Sequence, residues 1–70
     1  MGAAALRMLR ELDEVGGAVV VASDLVHGPR DWHVLATLAG RYFVRADAGG
    51  RNVRITRHGR AYLGGRRASG

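Results

Sequence analysis

Between Ala3 and Val15 apolar residues return every three positions, at Leu6, Leu9, Leu12 and Val15, with Ala5 and Met8 alongside. That spacing predicts an amphipathic helix over 3–15, on which Arg7–Glu11 and Arg10–Glu14 are spaced to pair across one turn. Gly16-Gly17 ends it, because either glycine can take the left-handed conformation that closes helices. The pattern then becomes continuous. Ala18-Val-Val-Val-Ala22 predicts a short strand covered on both faces. Ser23 is placed to cap a short helix, Asp24 to His27, with an acid in its first turn. Gly28-Pro29 breaks that helix, and Pro29 opens the next, over 29–39. Here Trp32, Leu35, Ala36 and Ala39 fall on one face with Leu38 at its edge, while Arg30, His33, Thr37 and Arg41 lie mainly on the other. Gly40 reads as its stop.

From Tyr42 the period changes to two. Tyr42–Ala46 is rich in aromatic and β-branched residues, and Asn52–Thr56 alternates polar with apolar, so both predict strands. Asp47-Ala-Gly-Gly50 between them supplies hairpin turn chemistry. Thr56 can cap a helix over 57–63, in which Gly59 costs about 1 kcal/mol against alanine. The valine strand has no neighbour in sequence to pair with, so the 42–56 hairpin is its candidate partner. Gly64 to Gly70 lacks apolar content and reads as a flexible basic tail. The expectation is one α+β domain over 1–63, in the order helix, strand, two helices, two strands, helix, followed by the tail at 64–70.

Seventy residues make one small domain, and a chain of that size buries only roughly 60% of its unfolded surface. With 47% hydrophobic and 24% charged residues the composition is globular. No cysteine is present, which excludes disulfides and thiolate metal sites. No signal peptide or membrane span is read, and the expected setting is cytoplasmic. Charge adds more. Residues 1–40 carry three arginines against five acids, whereas residues 41–70 carry eight arginines against Asp47 alone. Such polarity favours a polyanion at one end of the molecule. All eleven cationic residues are arginine. Arginine suits phosphate and guanine, although a GC-rich genome would also favour arginine codons; codon choice does not explain the asymmetry.

The order of elements resembles a winged-helix DNA-binding domain over about Ala3 to Leu63. Val53-Arg-Ile-Thr-Arg-His-Gly-Arg-Ala-Tyr-Leu63 is similar to the end of the wing in MarR-like and PadR-like bacterial regulators, with Thr56 and Gly59 at the threonine and glycine of that pattern. Leu35-Ala-Thr-Leu-Ala-Gly40 looks like the end of their recognition helix. Two features depart from the family: the Ser23–His27 helix is short, and helix 29–39 lacks Asn and Gln and carries Asp31, which would repel phosphate. Together with the residue chemistry, the resemblance implies a transcriptional regulator, associated with the nucleoid, that binds double-stranded DNA. Helix 29–39 would enter the major groove, with Arg30, His33 and Thr37 toward bases or nearby phosphates and Arg41 on the backbone. Arg51 near the hairpin tip, with Arg45 and Arg54 on its shoulders, would follow the minor groove, and Arg57 and Arg60 would meet phosphate. Arg30 and Thr37 read equally well as ordinary exposed helix residues, and His33 reads slightly better as one.

Catalysis finds little support. His27, His33 and His58 lack metal-pair spacing, and Ser23 reads as a cap rather than a nucleophile. Gly49-Gly50 is a hairpin tip, not a phosphate loop. No cofactor, metal or small-molecule ligand is implied. Trp32 and Tyr42 read as core residues, and Phe43 could stack on a single strand only if the sheet face were open. The alternative function is a protein-interaction module, such as a phage or mobile-element accessory protein that holds a host factor through helix 3–15. RNA binding through the basic hairpin is a third. The leucines of helix 3–15 could also form a homodimer seam, suited to a palindromic site.

Overall fold

The computed structural model describes residues 2–69, with side chains through Gly64. Helix α1 (Ala3–Glu14), strand β1 (Val20–Val21), helices α2 (Ala22–Leu25) and α3 (Pro29–Gly40), strands β2 (Val44–Ala46) and β3 (Asn52–Ile55) and helix α4 (Arg57–Ser69) follow in the expected order. The strands form one antiparallel sheet, β1-β3-β2. The valine strand does pair with the hairpin, Val20 opposite Val53 and Val21 opposite Asn52. Among the described residues the fold is therefore α+β, four helices on a three-stranded sheet. Helix α4 runs past Leu63, where its end was expected; the side chains of the tail beyond Gly64 lie outside the described residues.

Helix α1 buries Ala5, Met8, Leu9 and Leu12, while Val15 is 46% exposed. The every-third-residue run of leucines is misleading. Three residues turn a helix about 300°, so each step falls about 60° short and Val15 ends about half a turn from Leu6. The spacing 5, 8, 9, 12 stays on one side. Leu9 and Leu12 are fully buried, so they belong to the core and are closed to a dimer seam. Facing them are Leu35 and Leu38 of α3, Leu25 of α2, Val44, Val53 and Ile55 of the sheet and Leu63 of α4.

Three local expectations are corrected. Strand β1 has two residues rather than five, and Val19 and Val21 are exposed. It lies at the sheet edge, with one face open. The N–H of Ala22 donates to the carbonyl of Arg51 at 2.7 Å, so the chain passes from strand pairing directly into α2. Ser23 is consequently inside that helix, and Val21 at its cap makes no side-chain bond. Trp32 is 49% exposed instead of buried. On the inward side of α3 lies Asp31, which accepts from Arg7 of α1 at 3.2 Å and from the N–H of His27 at 2.9 Å. Leu35 and Leu38 follow on that side; Trp32 falls about 90° round from it.

The end of α3 is also not where its glycine suggested. Gly40 is the last helical residue, and it is Tyr42, at φ 64°, that takes the left-handed position. The N–H of Tyr42 donates to the carbonyl of Ala39 and that of Phe43 to Leu38, both at 3.0 Å. This is a Schellman closure, and it places Phe43 back on Leu38. Phe43 is then buried beneath His58 and Tyr62, at ring separations of 5.0 and 4.8 Å, which rules out its stacking on a single strand.

Thr56 ties this corner to α4. Its N–H donates to the Phe43 carbonyl at 3.0 Å. Its hydroxyl donates to the Tyr42 carbonyl at 2.6 Å, with that of Phe43 at 3.1 Å. The same hydroxyl accepts from the N–H of Gly59 at 3.0 Å, which makes Thr56 the cap that the sequence predicted. Gly59 meets the corner so closely that a Cβ there would overlap the Phe43 carbonyl oxygen and come within 2.9 Å of Ile55 Cγ1. Gly59→Ala should therefore lower stability by about 1–3 kcal/mol through overpacking, against the gain of about 1 kcal/mol that alanine gives in an ordinary helix interior. Urea denaturation measures this, and an alanine variant as stable as the wild type would mean that the close approach is not obligatory.

Candidate nucleic-acid interface

Local bonds account for four of the six acids. Glu11 accepts from Arg7 at 3.0 Å, Asp31 from the same guanidinium at 3.2 Å, and Asp13 from Arg60 at 3.3 Å. The Arg10–Glu14 pair expected on α1 is not formed. Asp47, the single acid among residues 41–70, closes the hairpin tip. Its carboxylate accepts from Asn52 Nδ2 at 2.8 Å and from the N–H of Arg51 at 2.9 Å. Its carbonyl accepts from the N–H of Gly50, which takes φ 68°. These bonds, that from the Asn52 side chain first, hold the Asp47 carboxyl below its ordinary value of 3.8.

Glu14 and Asp24 aside, what is left is cationic. Arg30, Arg41, Arg45, Arg51, Arg54 and Arg57 are exposed, and among the described residues none pairs with an acid. On the hairpin the register sets Val44 opposite Ile55 and Ala46 opposite Val53, so Arg45 faces Arg54 on the outer side. The pairs two positions away on each side, Phe43–Thr56 and Asp47–Asn52, carry the inter-strand bonds Thr56 N–H to Phe43 O and Asp47 N–H to Asn52 O. By alternation Arg45 and Arg54 are themselves a hydrogen-bonded pair, with Cα atoms about 5.5 Å apart. Like charges so placed oppose folding, and both guanidiniums are open to an outside anion. Val19 joins them along one open groove.

Helix α3 presents the second surface. Pro29, Arg30, His33, Val34 and Thr37 line one shallow groove, so the structure does bring Arg30, His33 and Thr37 together. Val34 and Thr37 continue into a neighbouring hollow bounded by Arg41. The Thr37 hydroxyl donates to the His33 carbonyl at 3.0 Å, leaving its lone pairs outward: it is better placed to accept from a base than to donate to a phosphate. Asp31, the acid expected to repel phosphate, is turned inward and neutralised by Arg7.

Arg60 departs from the set, because its guanidinium is held by Asp13 at the C-terminal end of α1. Residue order did not give that long-range pair. Sequence reasoning also missed Tyr42, whose 77% exposure goes with a left-handed closure two residues after Gly40. Among the described residues no group of three metal-binding side chains occurs, and no helix is long and apolar enough to cross a membrane. Comparison with protein-family models, curated proteins and solved structures gives no match to this chain.

Two outcomes test this geometry. Because the Asp47 carboxyl is lowered in the folded chain, its contribution is complete above the ordinary value of 3.8 and is lost as pH falls through the lowered one. The amide resonances of Arg51 and Asn52 should therefore titrate together with a midpoint below 3.8; a midpoint at or above that value would remove the carboxylate from the turn. Separately, Arg54→Thr should stabilise the free protein by about 0.2–1 kcal/mol, by relieving repulsion with Arg45. The gain should shrink as salt is added, and thermal melts at two ionic strengths measure it.

Proposed function

We propose that this domain is a winged-helix DNA-binding regulator that takes double-stranded DNA in a nucleoid setting. Helix α3 enters the major groove with Arg30, His33 and Thr37 toward base edges and Arg41 on the backbone. The hairpin lies on the adjacent minor groove or backbone, with Arg45, Arg51 and Arg54, and Arg57 meets a phosphate near the start of α4. The observation that carries this reading is the Arg45–Arg54 cross-strand pair, two like charges facing one another with no acid between them. Such an arrangement opposes folding of the free chain and is suited to the closely spaced charges of a phosphodiester backbone. Arg60 is left out of the contact set because Asp13 holds it.

A second reading, a protein-docking module, is supported by the exposed Val19 and Val21 beside Arg54 and by a hollow formed by Val26, Pro29 and Trp32. It no longer draws on the leucines of helix 3–15. A second copy meeting that helix would find Arg10, Glu14 and Val15 on its open side.

Titration against labelled duplex at several salt concentrations separates the readings. Three to six phosphate contacts give a slope of log affinity on log salt of roughly −3 to −5. Replacing Arg45 and Arg54 together by alanine should make that slope shallower by about 2. Absence of duplex binding at low salt, where electrostatics are strongest, would sink the DNA reading and leave the docking module.

A further inference from the structure

Tyr42 is the strained residue of this backbone. At φ 64° it is the one non-glycine residue with positive φ among those described, and a side chain there costs roughly 1–2 kcal/mol against the right-handed conformation. Glycine is the usual occupant of this position in a Schellman closure. The fold recovers little from the ring. It is 77% exposed, and among the described residues it stacks on no other ring and its hydroxyl has no hydrogen-bond partner. The turn itself serves the closure of α3 and the Thr56 bond, for which glycine would do; the exposed ring and hydroxyl, without a partner among the described residues, are what point outward to a ligand.

Its surroundings indicate which ligand. Arg41 precedes it directly. The Tyr42 carbonyl is fixed to the Thr56 hydroxyl at 2.6 Å, and Thr56 is followed by Arg57. Both guanidiniums are exposed and without an acid partner among the described residues. The backbone of Tyr42 therefore stands where the end of α3 and the start of α4 meet, one residue after Arg41 and bonded to the residue before Arg57. We infer that Tyr42 is a DNA contact residue, whose hydroxyl donates a charge-assisted hydrogen bond to a backbone phosphate placed between Arg41 and Arg57. The strained backbone is what aims it. The inference rests on the duplex-DNA reading above and adds to it an uncharged contact at the α3–α4 junction.

The test compares wild type, Tyr42→Gly and Tyr42→Phe in thermal melts and in duplex titrations over a salt series. Tyr42→Gly should melt no lower than the wild type, because glycine relieves the strained position. Its duplex affinity should nevertheless fall about tenfold, the loss of one hydrogen bond to a charged group. The salt slope should stay as it is, since a phenol displaces no counterion, whereas Arg41→Ala or Arg57→Ala should each make it shallower by about 0.9. Tyr42→Phe, which keeps the ring and removes the hydroxyl, should lose affinity as Tyr42→Gly does. If wild type binds duplex and both Tyr42 variants bind equally well, the contact is overturned and the DNA reading stands. If wild type itself ignores duplex at low salt, the DNA reading fails and takes the contact with it.

Discussion

The carbonyl groups of Tyr42 and Phe43 converge on a single side chain, the hydroxyl of Thr56, at 2.6 and 3.1 Å. Three otherwise separate things depend on that meeting. Helix α3 ends there, because the left-handed turn at Tyr42 folds Phe43 back onto Leu38. The hairpin is set there, because the Thr56 N–H to Phe43 bond is the rung beyond Val44–Ile55 and holds the register that faces Arg45 toward Arg54. Helix α4 begins there, capped by the same hydroxyl and able to approach only because residue 59 has no Cβ. The three rungs between β2 and β3 alone would be a marginal ribbon in water. Clamped between two helices and roofed by His58 and Tyr62 over Phe43, it becomes part of the core.

Electrostatics follows from how the acids are used. Arg7 bridges Glu11 and Asp31, which joins α1 to α3, and Arg60 reaches Asp13, which joins α4 to α1. These partly exposed pairs add modestly to stability. Their larger effect is sorting: acids that could have neutralised the basic half are turned to structural bonds, and Asp47 is absorbed by its own turn. The charge asymmetry of the chain thus survives folding as two sets of open guanidiniums, one along α3 and one on the hairpin.

Element order was legible because each segment changes its period or ends on a glycine or proline. The Thr56–Gly59 motif was legible because a cap and a close approach are local needs. Rotation about helix axes was harder to see. On α1 a run of leucines at every third position spans half the circumference, and on α3 the inward side is the one carrying Leu35 and Leu38, joined by Asp31, whose partner Arg7 is 24 residues away in sequence. Trp32 shares a face with Leu35 in the sequence pattern but lies about 90° round from the Leu35–Leu38 side, and is exposed. Gly40 is the residue type that closes a helix, yet the closure falls two residues on, at Tyr42, where it sets Phe43 on Leu38. Arg60 was grouped with the other arginines because the approach of α4 to α1 is not written locally.

The brevity of β1 bears on how this chain behaves among its own copies. Five residues, Ala18 to Ala22, could have extended along β3, but the chain leaves the sheet after Val21 and turns into α2. A longer valine strand at the margin would have offered unpaired N–H and C=O groups beside apolar side chains, the template on which strands of other molecules add. At the opposite margin β2 is three residues long and carries Arg45 at its middle, a charge that any incoming strand would have to desolvate. Both margins are thus closed to edge-to-edge growth, one by shortness and one by charge, and a sheet with little to spare in stability is kept from propagating into an aggregate.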